Sequence, residues 1–107
     1  MVGLQHKYKG DEKMFIIHVK VNIGEISEKY HPEHTKFLNK QFEDNIFLMF
    51  GRSVTREASG TIIAHSESKE KLMEIFKQDP YFKYGCATLE IEEFTPARIA
   101  ENISDFK

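Results

Sequence analysis

The chain has 107 residues, with 15 Lys and Arg against 17 Asp and Glu and a formal net charge of −2, enough for one domain with a single core. An isoelectric point near 6.2 argues against a nucleic-acid-binding surface, which carries a basic stripe. No apolar run approaches the roughly 20 residues of a membrane-spanning helix, and the start lacks the apolar segment of a signal peptide, so the cytoplasm is the expected location. Cys86 is the single cysteine, which excludes an internal disulfide and leaves a small packing residue as its expected role.

Residues 1–13 stand apart by composition, polar or charged almost throughout from Gln5 to Lys13, and are expected to form a disordered extension ahead of a domain spanning 14–95. An alternative is that Met14 is the native start. From there Phe15, Ile17, Val19 and Val21 alternate with Ile16, His18, Lys20 and Asn22, the period of a half-buried strand. Pro32 suits the first position of a helix, and the residues after it place His34, Phe37, Leu38, Gln41 and Phe42 on one face, which predicts a helix over 32–44.

The run Ile46-Phe47-Leu48-Met49-Phe50 is apolar on both sides and predicts a strand covered on both faces and stopped by Gly51. A polar hairpin loop from Arg52 to Ser59 leads to a strand at 61–65. Ser68 caps a second predicted helix at 69–78, and Ala87 to Phe94 alternates as a last strand. The tail, 96–107, carries Ile99, Ile103 and Phe106 at helical spacing, a weak signal for a short final helix packed on the body or on a partner. The order β-α-β-β-α-β is the α+β, ferredoxin-like pattern. Two helices cover only one face of its sheet, so the other face calls for a second copy of the chain, a homodimer with the sheets facing each other.

Two residues sit where stability alone would not choose them. The stripe Leu72, Ile75, Phe76 continues in register to Asp79, just before Pro80, so Asp79 is read at a helix C-terminus, where its charge opposes the helix dipole at a cost of about 0.3–1 kcal/mol. Its other reading is a carboxylate accepting hydrogen bonds from turn amides beyond Pro80. His34 opens an apolar helical stripe. Alone, such a histidine is more often a satisfied core residue, but an imidazole paired with a carboxylate has its tautomer fixed and its cation favoured, which suits general acid/base chemistry.

Other constellations point less far. His31 and His34 share an H-x-x-H spacing, yet zinc takes three or four protein ligands and no cysteine stands near, so no metal site is expected. Arg52 and Arg56 could hold an anionic substrate, against the plainer reading of a solvated loop. Phe42, Phe47, Phe50 and Phe76 are expected in the core. No glycine-rich phosphate loop and no Ser/His/Asp order occurs, so nucleotide-dependent chemistry and serine hydrolysis are not expected, and no cofactor is called for.

The first strand opening at Met14, the helix start Pro32-Glu33-His34, Gly51, the strand entry Ser59-Gly60-Thr61, and Asp79-Pro80-Tyr81 followed by Gly85 together resemble the YCII-related family of small dimeric α+β-barrel proteins. The resemblance covers residues 14–94. It implies a His/Asp active site, which maps onto His34 and Asp79, and a kinship with a dehydrochlorinase of chlorinated hydroxyhydroquinones and, through the wider fold, with muconolactone isomerases. The chain departs from the usual pattern in its short loop between the second and third strands, and in Tyr30-His31, where an arginine often precedes the proline.

Two functions are therefore expected. In the first, a cofactor-free lyase or isomerase, His34 supported by Asp79 moves a proton on a small cyclic or phenolic substrate in a pocket shaped by Tyr81 and by Ile16 and His18 of the first strand. In the second, the same pair anchors a ligand in a non-catalytic binding or regulatory homodimer.

Overall fold

The computed structural model describes residues 12–107. The elements run β1 (Lys13–Val21), α1 (Glu25–Glu43), β2 (Phe47–Arg52), β3 (Ser59–Ser66), α2 (Lys69–Phe76), α3 (Pro80–Lys83) and β4 (Ala87–Phe94), followed by a 3-10 turn at Ile103–Phe106. The strands form one antiparallel sheet in the spatial order β2-β3-β1-β4, with β1 hydrogen-bonded to both β3 and β4. This is the ferredoxin-like α+β arrangement. Among the described residues no helix is long and apolar enough to cross a membrane.

Strand alternation decides what each face holds. Phe15, Ile17 and Val19 of β1 and Ile62 and Ala64 of β3 are buried toward the helices, where they meet Phe37 of α1 and Leu72 and Phe76 of α2. Phe37, Phe47 and Phe76 form an aromatic triangle with ring centroids 5.5–5.9 Å apart. Their neighbours in sequence, Met14, Ile16, His18 and Lys20 on β1 and Thr61, Ile63 and His65 on β3, point to the opposite face, which nothing among the described residues covers fully.

Several boundaries differ from those the sequence suggests. Helix α1 starts at Glu25, capped by Gly24 and Ser27, and Pro32 lies inside it. The proline removes a donor to the carbonyl of Glu28, and the carbonyl just before, that of Ser27, takes a hydrogen bond from outside the helix, from Tyr81 Oη at 3.0 Å. Gly51 does not end β2, since it pairs with Thr61 and the strand continues to Arg52. Glycine is favoured instead at Gly60, the register partner of Arg52, because a Cβ there would lie 3.0 Å from the Gly51 carbonyl oxygen.

The register of β2 shifts between Phe47 and Met49, so that Phe47 is buried while Leu48 and Met49 are exposed on this edge strand. Helix α2 stops at Phe76, two residues short of its expected end, and the amides of Gln78 and Asp79 reach back to Ile75 and Phe76 in a tightened turn. At the start of the domain, Lys13 already belongs to β1 and the Glu12 carboxylate lies 2.6 Å from His65 Nδ1, so ordered structure begins ahead of Met14. The remainder of the expected extension, residues 1–11, lies outside the described residues. In the tail, Ile99, Ile103 and Phe106 are all exposed, so the apolar spacing there is not satisfied by packing among the described residues.

Candidate active site

Pro80 fixes the local geometry. As the first residue of α3 it ends any continuation of α2 and leaves Asp79 as the N-cap of a new one-turn helix, where the carboxylate accepts the Tyr81 amide at 3.1 Å. The helix-end placement expected from the sequence is thereby corrected. Asp79 faces the positive end of a short helix and not the negative end of α2, and its charge is favoured there. Asp79 is completely buried, and no buried side-chain polar atom lacks a hydrogen-bond partner among the described residues.

The same carboxylate reaches across to α1. His34 Nδ1 lies 2.9 Å from Asp79 Oδ2 and 3.0 Å from Oδ1, with the imidazole 13% exposed. Because a carboxylate only accepts, Nδ1 carries the proton and donates, which leaves Nε2 as the free position on the ring. Tyr81, one residue into the turn after Pro80, stacks on the imidazole with centroids 3.9 Å apart and planes 6° from parallel. Its hydroxyl donates to the Ser27 carbonyl and lies 3.3 Å from His31 Nδ1. Burial raises the Tyr81 phenol above its ordinary value, with Cys86 and the Asp79 carboxylate adding to the effect. Burial likewise raises the Cys86 thiol, an inert packing group at the foot of the same site.

His34 and Tyr81 line a cavity of about 700 Å³ between α1 and the helix-side face of the sheet. Its walls are mostly apolar, with Val19, Val21, Leu38, Phe50 and Ile62 contributing, and Arg52 stands on the β2 side. Ile16 and His18 do not belong to it. They alternate with Val19, which faces the cavity, and so project from the opposite side of the sheet, with His18 beside Glu90 of β4. The H-x-x-H pair is divided between two partners, Tyr81 for His31 and Asp79 for His34. Sequence reasoning does not pick out His31 and Ser27 as parts of this site. Their signal is faint: both lie one or two turns before His34, on a helix whose start the residue pattern puts too late.

A site of this kind can hold a small, largely apolar molecule against a fixed imidazole and one guanidinium. Solved structures share the fold. The 5-chloro-2-hydroxyhydroquinone dehydrochlorinase of Burkholderia phenoliruptrix, in complex with 2,5-dihydroxybenzoquinone, is 16% identical over 77% of this chain and 93% of that chain, with a TM-score of 0.62. An antibiotic biosynthesis monooxygenase, so described, from Nitrosomonas europaea is 7% identical over 86% of this chain and 96% of that one, with a TM-score of 0.52. No curated protein matches the chain. The model of the YCII-related domain matches residues 6–95, most of the chain, and with that match the protein belongs to the YCII-related family.

Proposed function

We propose that the protein is a cofactor-free lyase or isomerase in which His34 moves a proton on a small cyclic or phenolic substrate. The carrying observation is the bond of 2.9 Å from His34 Nδ1 to the buried Asp79 carboxylate, at the wall of an apolar cavity. Asp79 holds the ring with Nε2 bare, so the base is in the right tautomer before substrate arrives, and the carboxylate stabilises the imidazolium once the proton has moved. Tyr81 fixes the plane of the ring. Arg52 attracts an anionic oxygen of the substrate, or the negative charge that develops when a carbon-bound proton leaves. The proton passes between the substrate and the His34 side chain, so this chemistry calls for no cofactor. The fold shared with the Burkholderia dehydrochlorinase, whose structure holds a dihydroxybenzoquinone, supports a substrate of this size and kind.

The working unit we propose is a homodimer joined through the open face of the sheet, where Leu48 and Met49 are 36% and 44% exposed. Catalysis can be tested before the substrate is identified. The protein is incubated in D2O with a panel of small phenols, enols and unsaturated lactones, and deuterium entering at carbon is followed by NMR. At least one compound is expected to exchange, and His34→Gln to slow that exchange by about 10²–10⁴-fold. Exchange that survives His34→Gln would remove His34 as the base, and none across the panel while ligands still bind would leave a non-catalytic binding dimer as the function.

A further inference from the structure

The second histidine of α1 is turned toward one tautomer as well, by a single longer contact to a neutral partner, and stands more exposed than the first. Tyr81 Oη lies 3.0 Å from the Ser27 carbonyl, which can only accept, so the hydroxyl spends its one hydrogen there. The contact of 3.3 Å between the same oxygen and His31 Nδ1 is then a hydrogen bond only if Nδ1 donates. Neutral His31 therefore carries its proton on Nδ1 and has a bare Nε2, to which the structure gives no protein partner among the described residues. The two ring nitrogens point in nearly opposite directions. With Nδ1 turned to the buried Tyr81 hydroxyl, Nε2 is directed away from the core, and His31 lines the same cavity as His34.

The cavity thus offers two lone-pair acceptors three residues apart on one helix face, where side chains are neighbours about 5–6 Å apart at Cβ. One is backed by a carboxylate and the other by a neutral hydroxyl. The difference divides their work. An imidazole backed by a carboxylate gains stabilisation as it takes a proton, while one backed by a tyrosine hydroxyl gains far less and serves as a hydrogen-bond acceptor. The walls formed by Val19, Val21, Leu38 and Ile62 are apolar, and the other polar groups of the lining include Arg52, Thr35 and Thr61.

We propose that His31 is a specificity-determining residue that accepts a hydrogen bond from a second hydroxyl or N–H of the substrate, so that the preferred ligands are small rings bearing two polar hydrogens. The inference rests on the reading of the cavity as a site for phenolic or cyclic molecules. His31 is exposed in the free protein, so Nε2 there is open to water, and discrimination arises because a ligand lacking the second donor displaces that water without replacing its hydrogen bond.

Two measurements test it. Long-range ¹H–¹⁵N NMR of the ¹⁵N-histidine-labelled protein, at a pH where both rings are neutral, is expected to show His31 and His34 protonated on Nδ1. Tyr81→Phe is expected to release His31 to the Nε2-protonated form and leave His34 unchanged. His31 protonated on Nε2 in the parent would overturn the inference, whatever the protein binds. The second measurement titrates catechol, resorcinol and hydroquinone, each against its monomethyl ether. The parent is expected to prefer at least one diphenol by about 2- to 10-fold, the worth of one hydrogen bond. That preference should vanish in His31→Leu and persist in His31→Gln, whose amide oxygen restores an acceptor. Diphenols that shift the His34 signals with no preference over their ethers overturn the role of His31 alone. Phenols that move neither ring overturn the phenolic reading of the cavity itself, and this inference with it.

Discussion

The imidazole of His34 lies flat on the ring of Tyr81, with the centroids 3.9 Å apart and the planes 6° from parallel. Asp79 fixes the rotation of the imidazole through Nδ1, and Tyr81 fixes its plane, so the ring is held in both of its free dimensions. Tyr81→Phe keeps the stack and removes the hydroxyl, and is expected to retain most of any deuterium exchange while costing about 0.5–1.5 kcal/mol from the lost bond to Ser27. Tyr81→Leu removes the plane as well and is expected to lose exchange far more than stability. Equal activity in the two variants would show that the stack positions nothing.

Alkaline pH should loosen this corner of the fold first. Burial raises the Tyr81 phenol above its ordinary value of 10.0 and the Cys86 thiol above 9.0. Across the window from each ordinary value up to the raised one, the folded chain holds a proton that the unfolded chain has released. Stability from these groups is therefore complete below the ordinary values and falls as pH rises through the folded ones. Urea midpoints measured from pH 8 upward are expected to decline, with Cys86→Ala flattening the earlier part of the decline and Tyr81→Phe the later part. An identical alkaline slope in both variants would count against burial as the cause.

Asp79 joins two jobs in one carboxylate, and substitutions separate them. Asparagine is as good an N-cap as aspartate, so Asp79→Asn keeps the bond to the Tyr81 amide and loses the charge facing His34. Asp79→Ala loses both, a cap worth about 1 kcal/mol and a hydrogen bond to a charged group worth about 1.5–3 kcal/mol. The expected order of stability in urea is parent, then Asn, then Ala, with deuterium exchange already lost at Asn. This replaces the expectation that removing Asp79 relieves a helix dipole, because the helix it would oppose has ended at Phe76. Asp79→Asn more stable than the parent would restore the dipole argument.

Elements with one clean period are readable from the residues alone. Alternation places β1 and β4 closely, and Ser68 caps α2 through its bond to the Lys71 amide as its residue type suggests. Pro32 misleads, because proline at a first helical position and proline inside a helix look alike until the residues before it are seen to pack. Tyr30 does so, stacked on Tyr84 with centroids 4.4 Å apart. Gly51 misleads in the same way, since a glycine inside an edge strand differs from a stop only through its partner Thr61. The period of β1 separates Ile16 and His18 from Val19 and Val21, but periodicity does not say which face meets a cavity. Contacts such as His31 with Tyr81, 50 positions apart, depend on tertiary packing and leave no local trace.

The last expectation concerns assembly. On the open face of the sheet, Met14, Ile16 and Ile63 are only half-covered, and Met49 beside Ile63 is 44% exposed. Glu90 and Glu92 of β4 share that face with His18 and Ile16 of β1, their register partners, so acidic and basic groups flank an apolar centre. A two-fold related copy would bury the apolar centre against itself, and a stable contact of this kind removes about 800 Å² per partner from water. Sedimentation equilibrium at micromolar concentration is expected to give about twice the chain mass of 12.5 kDa. Met49→Asp puts one carboxylate from each copy into the contact and is expected to return the chain mass while leaving the fold intact, since Met49 is 44% exposed and not one of the buried core residues. Phe106→Ser tests the tail in the same experiment: an 81% exposed phenylalanine that packs on the partner should weaken association when replaced, and one that packs on nothing should not. A parent chain that sediments as a clean monomer would end the homodimer proposal, and a Met49→Asp variant that stays dimeric would move the interface off this face of the sheet.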